Sequence, residues 1–135
     1  MKAKVLFLCT GNSCRSQMAE GWLRQLAGDR AEAASAGTQP VGVNPSAIEA
    51  MRESGVDLRG HRSRHVSEFL DQRFDYVITV CDHARQTCPV WPGAGKMLHW
   101  SLDVPAGKSM DEFRRVRDEI EKCVGEFAAD FAGQG

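Results

Sequence analysis

No stretch of this 135-residue chain approaches the ~20 consecutive apolar residues of a membrane-spanning helix. The first four residues hold two lysines, Lys2 and Lys4, and pass straight into a strand-like run, without the apolar core and cleavage site of a secretory leader. A soluble, cytoplasmic protein with no membrane partner is the expectation. Charge imbalance is also missing. Lys and Arg number 17 against 18 Asp and Glu, a formal net charge of −1, which offers nothing for nucleic acid to recognise. One basic cluster, Arg59, Arg62 and Arg64 with His61 and His65, is local and reads as a solvated surface loop. Paired Cys-x2-Cys spacing is absent, so neither a metal nor another cofactor is expected. The five cysteines are an odd number and do not form a secreted disulfide framework. In a reducing compartment they are thiols, and any disulfide among them is transient and catalytic. Repeats, linkers and low-complexity tracts are lacking too, so residues 1–135 read as one domain and a monomer.

What the chain does have is concentrated in Val5-Leu6-Phe7-Leu8-Cys9-Thr10-Gly11-Asn12-Ser13-Cys14-Arg15-Ser16. Four apolar residues read as a buried strand, a cysteine closes it, and a short polar loop leads into a helical pattern. A strand, a small-residue loop and a helix start together aim backbone N–H groups at an anion. Cys9 would stand at the centre of that cradle. A thiol amid N–H groups, a helix N-terminus and a guanidinium is held as a nucleophilic thiolate. Arg15, completing a Cys-x5-Arg spacing, can grip two oxygens of a tetrahedral oxyanion at once. Gly11 and Asn12 both tolerate the positive φ of a tight anion nest. The loop thus points to attack on an oxyanion centre such as phosphorus or arsenic; the alternative is a buried strand ending in an inert cysteine. It is not a nucleotide-binding Walker loop. Behind the only Gly-Lys-Ser, Gly107-Lys108-Ser109, the first glycine of that motif is replaced by Leu102.

The remaining pattern alternates. Ser16–Ala27 reads as a helix with Ala19, Trp22, Leu23 and Leu26 on one face and Gly28 as its stop. Ala31–Ala36 is a weak strand of small residues. Asn44-Pro45 starts a helix that carries Ile48 and Met51 inward and stops at Gly55. Val66–Leu70 is a short helix or turn, Phe74–Val80 a central strand ending in Cys81, and Asp82–Cys88 a short helix closed by Pro89. Lys96–His99 is a last short strand. Ser109-Met110-Asp111-Glu112 forms a capping box for a closing helix with Phe113, Val116, Ile120, Val124 and Phe127 inward. The expected class is α/β: a four-stranded parallel sheet flanked by helices on both faces. Ligands sit beyond the carboxyl ends of such strands, where Cys9 and Cys81 both fall.

Cys9-Thr10-Gly11-Asn12-Ser13-Cys14-Arg15-Ser16 resembles the signature loop of the low-molecular-weight protein tyrosine phosphatase superfamily. With the later cysteines and the stretch Phe113–Ile120, the chain is similar more narrowly to the thioredoxin-coupled arsenate reductases built on that fold. The resemblance runs from about Lys4 to about Phe127. It implies reduction of arsenate to arsenite, with thioredoxin as the reductant. Thr10, Gly11, Asn12, Ser13, Cys14 and Arg15 would bind the oxyanion, Cys9 would attack it, and Ser16 would donate to the Cys9 sulfur or simply cap the helix. Cys81 and Cys88 would supply the two electrons by ending as a disulfide; otherwise they are unrelated core cysteines. Were 82–88 helical, the α-carbons of Cys81 and Cys88 would stand roughly 10 Å apart. A disulfide needs about 7 Å or less, so the segment would have to unwind. Cys14 and Cys123 read as structural.

Two departures from the resembling proteins matter. Their general acid is an aspartate directly before a proline; here Val104 precedes Pro105, and Asp103, one residue early, is the expected acid, unless it only initiates a turn. Some of them also hold a potassium ion beside the loop. Asn12, Glu20 and Ser35 match three of its ligand positions, but the other two are Arg62 and Arg64, so a guanidinium paired with Glu20 is expected in its place, without potassium dependence. The rival functions are a low-molecular-weight phosphatase, of which weak activity is expected in any case, and a non-catalytic thiol redox sensor.

Overall fold

The structure, a computed structural model, describes residues 2–80, 94–102 and 109–134. Its centre is β1, Ala3–Cys9, which pairs on one side with β2, Ala31–Gly37, and on the other with β3, Phe74–Thr79. Outside β3 lies β4, Ala94–His99, giving the order β2-β1-β3-β4 with every pairing parallel. Successive side chains of a strand point to opposite faces. Val5, Leu6 and Phe7 are fully buried and Leu8 almost so. β1 is therefore covered on both faces, as its uninterrupted apolar run requires. Each such side chain contributes about 1.5–3 kcal/mol of transfer free energy.

Among the described residues, three helices complete the α/β arrangement: α1, Arg15–Ala27; α2, Pro45–Glu53; and α3, Met110–Gln134. A 3-10 turn, Val66–Phe69, takes the place of the expected short helix or turn. α3 buries Phe113, Val116, Ile120, Val124 and Phe127, the stripe its period predicts. The Phe127 ring packs edge-to-face with Tyr76 and Trp100, at centroid separations of 4.9 Å and 5.8 Å, which seats α3 on the sheet. Trp22 Nε1 donates to the Arg117 carbonyl at 3.2 Å, pinning α1 to α3. α2 begins as its sequence says: Asn44 Oδ1 accepts from the Ser46 N–H at 2.8 Å and Pro45 takes the first turn. It ends in a Schellman motif, with Gly55 at φ 81° and the Val56 N–H on the Met51 carbonyl at 2.9 Å.

Several expected boundaries shift. β1 and β4 begin two residues early, and β2 runs on to Gly37. β3 ends at Thr79, yet the Val80 N–H still reaches the Leu8 carbonyl at 2.9 Å. Leu26, expected inward, is 38% exposed. Its helix needs no further apolar face there, since Arg15 to Leu23 are already buried on every side. Most of the basic cluster is held at the surface: Arg59 pairs with Asp57, Arg62 with Glu68, and the Arg64 guanidinium lies over Phe69, whereas the His61 side chain is turned inward to Glu20. The expected helix Asp82–Cys88, with Cys81, Cys88 and Asp103, lies outside the described residues.

The carboxyl ends of β2, β1 and β3 finish together, with Cys9 beside Gly37 and Leu8 beside Thr79. The backbone after β1 crosses so close over Gly37 that a Cβ there would stand 2.4 Å from the Thr10 carbonyl oxygen and 2.9 Å from the Asn12 nitrogen. Neither atom belongs to a side chain that can swing away. Gly37→Ala is therefore expected to cost about 1–3 kcal/mol in urea unfolding and to displace residues 10–12. An alanine variant as stable as the parent would contradict the close approach.

Candidate active site

Cys9, the last residue of β1, is 5% exposed. Residues 10–14 form a loop, and Cys14 occupies the N-cap position of α1 without a side-chain cap bond. The cap is thus not Ser16, which lies inside the first turn. Its hydroxyl accepts from Asn12 Nδ2 at 2.8 Å, so its own proton remains to be donated elsewhere.

The five carbonyls of residues 9–13 are all engaged. N–H groups of the segment after β2 take four of them: Thr38 on Cys9 at 3.3 Å, Gln39 on Thr10 at 2.8 Å, Val41 on Gly11 at 3.1 Å and Asn44 on Ser13 at 3.1 Å. The fifth, Asn12, accepts from Ser63 Oγ at 2.7 Å. A loop whose carbonyls are tied down on one side in this way can turn its N–H groups to the other, as an anion nest requires. Asn12 is the one residue here with positive φ, 48°, and it is completely buried. Gly11 has no positive φ; a Cβ on it would meet Val41 Cγ2 at 3.0 Å.

Arg15, the first residue of α1, is 9% exposed. One terminal nitrogen, Nη2, lies 3.5 Å from the Cys9 sulfur, and the other, Nη1, donates to the Leu102 carbonyl at 3.0 Å. That second bond fixes the plane of the guanidinium, with its Nη2 turned to the Cys9 sulfur. Leu102 directly precedes Asp103, and Val80, bonded to Leu8, directly precedes Cys81. Of the sequence-predicted residues, Cys9, Thr10, Gly11, Asn12, Ser13, Cys14, Arg15 and Ser16 are brought together here.

The other described thiols have a different character. Burial pushes Cys14 above the ordinary thiol value, against a hydrogen bond to Ser13 and the charge of Arg15. Burial, with Glu119 and Glu126 nearby, raises Cys123 as well. Both are poor nucleophiles at neutral pH.

Behind the loop, Glu20 does not pair with Arg62 or Arg64 as expected. Its Oε1 accepts from Ser35 Oγ at 2.8 Å, and its Oε2 meets Arg24 Nη1 at 2.8 Å and His61 Nδ1 at 3.1 Å. The cation beside Glu20 is Arg24, one helical turn along α1. Asn12 Oδ1 meanwhile accepts from Gln17 Nε2 and the Arg64 N–H. With these oxygens committed to N–H and O–H donors, the set does not fit a potassium ion.

Sequence reasoning passed over Gly37, Gln17, Ser63 and the segment 38–43. No local rule marks them, because each acts through a contact made only in the folded chain.

The family model for low molecular weight phosphotyrosine protein phosphatase matches residues 4–134. Arsenate reductase 2 of Staphylococcus epidermidis is 47% identical over 126 residues, 93% of this chain and 96% of that protein. Two solved structures superpose with TM-scores of 0.87, each over 97% of this chain and 99% of the other. One is described as an arsenate reductase in the phosphate binding state, at 36% identity, the other as an arsenate reductase in oxidized state, at 34%. A match that leaves only the extreme ends of the sequence outside it, on a four-stranded parallel sheet with the cysteine loop at its carboxyl edge, places the chain: it belongs to the low molecular weight phosphotyrosine protein phosphatase family.

Proposed function

We propose that this chain is an arsenate reductase that works by a three-cysteine relay. The observation that carries the reading is the Cys9 sulfur 3.5 Å from Arg15 Nη2, in a loop whose carbonyls are tied away from it. A tetrahedral oxyanion suits that nest, and the relatives at 47% identity are named for arsenate.

In this reading the Cys9 thiolate attacks the arsenic atom of arsenate. An As–S bond forms, and one oxygen leaves as water, with Asp103 supplying the proton. Ser16, whose hydroxyl already accepts from Asn12, spends its own proton on the Cys9 sulfur and holds the thiolate. Cys81 then attacks the Cys9 sulfur. The electron pair of the As–S bond passes to arsenic, arsenite departs, and a Cys9–Cys81 disulfide remains. Cys88 attacks Cys81 next, frees Cys9 as a thiolate and leaves Cys81–Cys88. Two thiols of thioredoxin reduce that last disulfide. The sum balances: arsenate and two thiols give arsenite, water and one disulfide. Cytoplasmic arsenic resistance is the physiological role this chemistry serves.

The same cradle accepts phosphate, which shares the shape and charge of arsenate, so slow hydrolysis of an aryl phosphate accompanies the main reaction. A phosphatase needs neither Cys81 nor Cys88, and this chain lacks the aspartate directly before proline. A thiol redox sensor would oxidise with peroxide and consume no arsenate.

Replacing the nucleophile separates binding from chemistry. Cys9→Ser is expected to lose all arsenate turnover and all aryl phosphate hydrolysis while still binding sulfate in calorimetry, since Arg15 and the loop remain. Turnover near the parent rate would remove Cys9 from the mechanism.

The relay has its own signature. Cys88→Ser is expected to stop after one turnover with Cys9 joined to Cys81, a bond visible in peptide mass spectra, whereas the parent oxidised by arsenate accumulates Cys81–Cys88. Repeated turnover of Cys88→Ser with thioredoxin would exclude Cys88.

A further inference from the structure

Asn12 is the strained point of the loop, and one of the groups that hold it belongs to α1. Gln17 is 1% exposed and lies outside the stretch that wraps the oxyanion. Its side-chain nitrogen lies 3.0 Å from Asn12 Oδ1, 3.3 Å from the Asn12 carbonyl and 3.1 Å from the Arg62 carbonyl. All three are acceptors, so this end of the amide is the NH2 end. Its oxygen lies 3.0 Å from His61 Nδ1, which also faces Glu20 Oε2 at 3.1 Å; both are acceptors, so Nδ1 carries the ring proton and shares it between them. His61 Nε2 is then the bare nitrogen, and it faces Arg24 Nη1, a group that only donates, at 3.2 Å. The neutral ring agrees with burial, which lowers the His61 pKa against the pull of Glu20. The bonds run one way: Arg24 to His61, His61 to Gln17, Gln17 to Asn12. Turning the Gln17 amide over would set donor against donor at His61 and oxygen against oxygen at Asn12.

We propose that Gln17 is a positioning residue for the oxyanion site: its amide, oriented by His61, holds Asn12 in the left-handed conformation and so sets the aim of the loop's N–H groups. A non-glycine residue persists at positive φ only where its surroundings over-determine it. Ser63 grips the Asn12 carbonyl and the Arg64 N–H grips its side chain, but Gln17 bonds to both at once. It thereby couples the Asn12 side chain to the peptide plane that leads into Ser13. The inference rests on the reading of residues 9–15 as an oxyanion cradle.

The test compares Gln17→Met, similar in size but without the amide, with Gln17→Asn, whose amide falls short of Asn12; the second keeps the question open to experiment if the first does not fold. Sulfate affinity is read from protection of Cys9 against iodoacetamide, followed on the Cys9 peptide, and arsenate turnover gives KM and kcat separately. Loss of a buried hydrogen bond predicts sulfate affinity weaker by several-fold to about tenfold. KM for arsenate is expected to rise by the same factor, with kcat at saturation changed less than about twofold. Folded variants with the parent's sulfate affinity and KM, differing only in unfolding midpoint, would overturn the proposal and leave Gln17 a packing residue. Absence of sulfate protection in the parent itself would overturn the cradle reading, and the proposal with it.

Discussion

A loop that offers N–H groups to an anion must dispose of its carbonyls elsewhere, because a buried carbonyl without a donor costs as much as a lost hydrogen bond. Much of this molecule meets that requirement. The segment after β2 runs alongside the loop and supplies four of the donors, and Ser63 supplies a fifth. For the segment to lie there, β2 must end directly beneath the loop, which forces glycine at position 37. For the last of those donors, Asn44, to reach Ser13, α2 must start where it does. The parallel sheet in turn places the ends of β1 and β2 side by side. The position of Cys9 thus depends on elements far from it in sequence.

Those parts of the fold governed by local rules were legible in the chain. The apolar run of β1, the Asn44-Pro45 helix start and the apolar stripe of α3 each follow from a short-range physical preference, and each stands where expected. The loop was legible for the same reason, since strand, small residues, Arg15 and helix start are contiguous. Gly37 was not: a glycine closing a strand of small residues reads as a stop, and only the backbone crossing above it shows why a side chain cannot fit. Gln17 was equally silent. A glutamine in the first turns of a helix reads as solvated, and nothing in its spacing tells that it is buried against Asn12 and Arg62.

The cation beside Glu20 carries a further lesson. Positions matched against relatives pointed to Arg62 and Arg64, but those side chains turn to Glu68 and Phe69. Arg24 lies at i+4 from Glu20, a spacing that sets two side chains next to each other on any helix. The short-range rule held where the positional comparison did not. The pair is also a functional neighbour: Arg24 and His61 end the line of hydrogen bonds that reaches Asn12.

Family membership settles the scaffold, and the scaffold serves phosphate and arsenate alike; what divides the two chemistries is where electrons come from. The most direct measurement is therefore NADPH oxidation by purified thioredoxin and thioredoxin reductase in the presence of this protein, with arsenate as the variable, set beside hydrolysis of an aryl phosphate. The account predicts NADPH consumption that depends on arsenate and matches arsenite formed one for one, with only slow release of phosphate from the ester. Rapid ester hydrolysis with no arsenate-dependent NADPH consumption would contradict it.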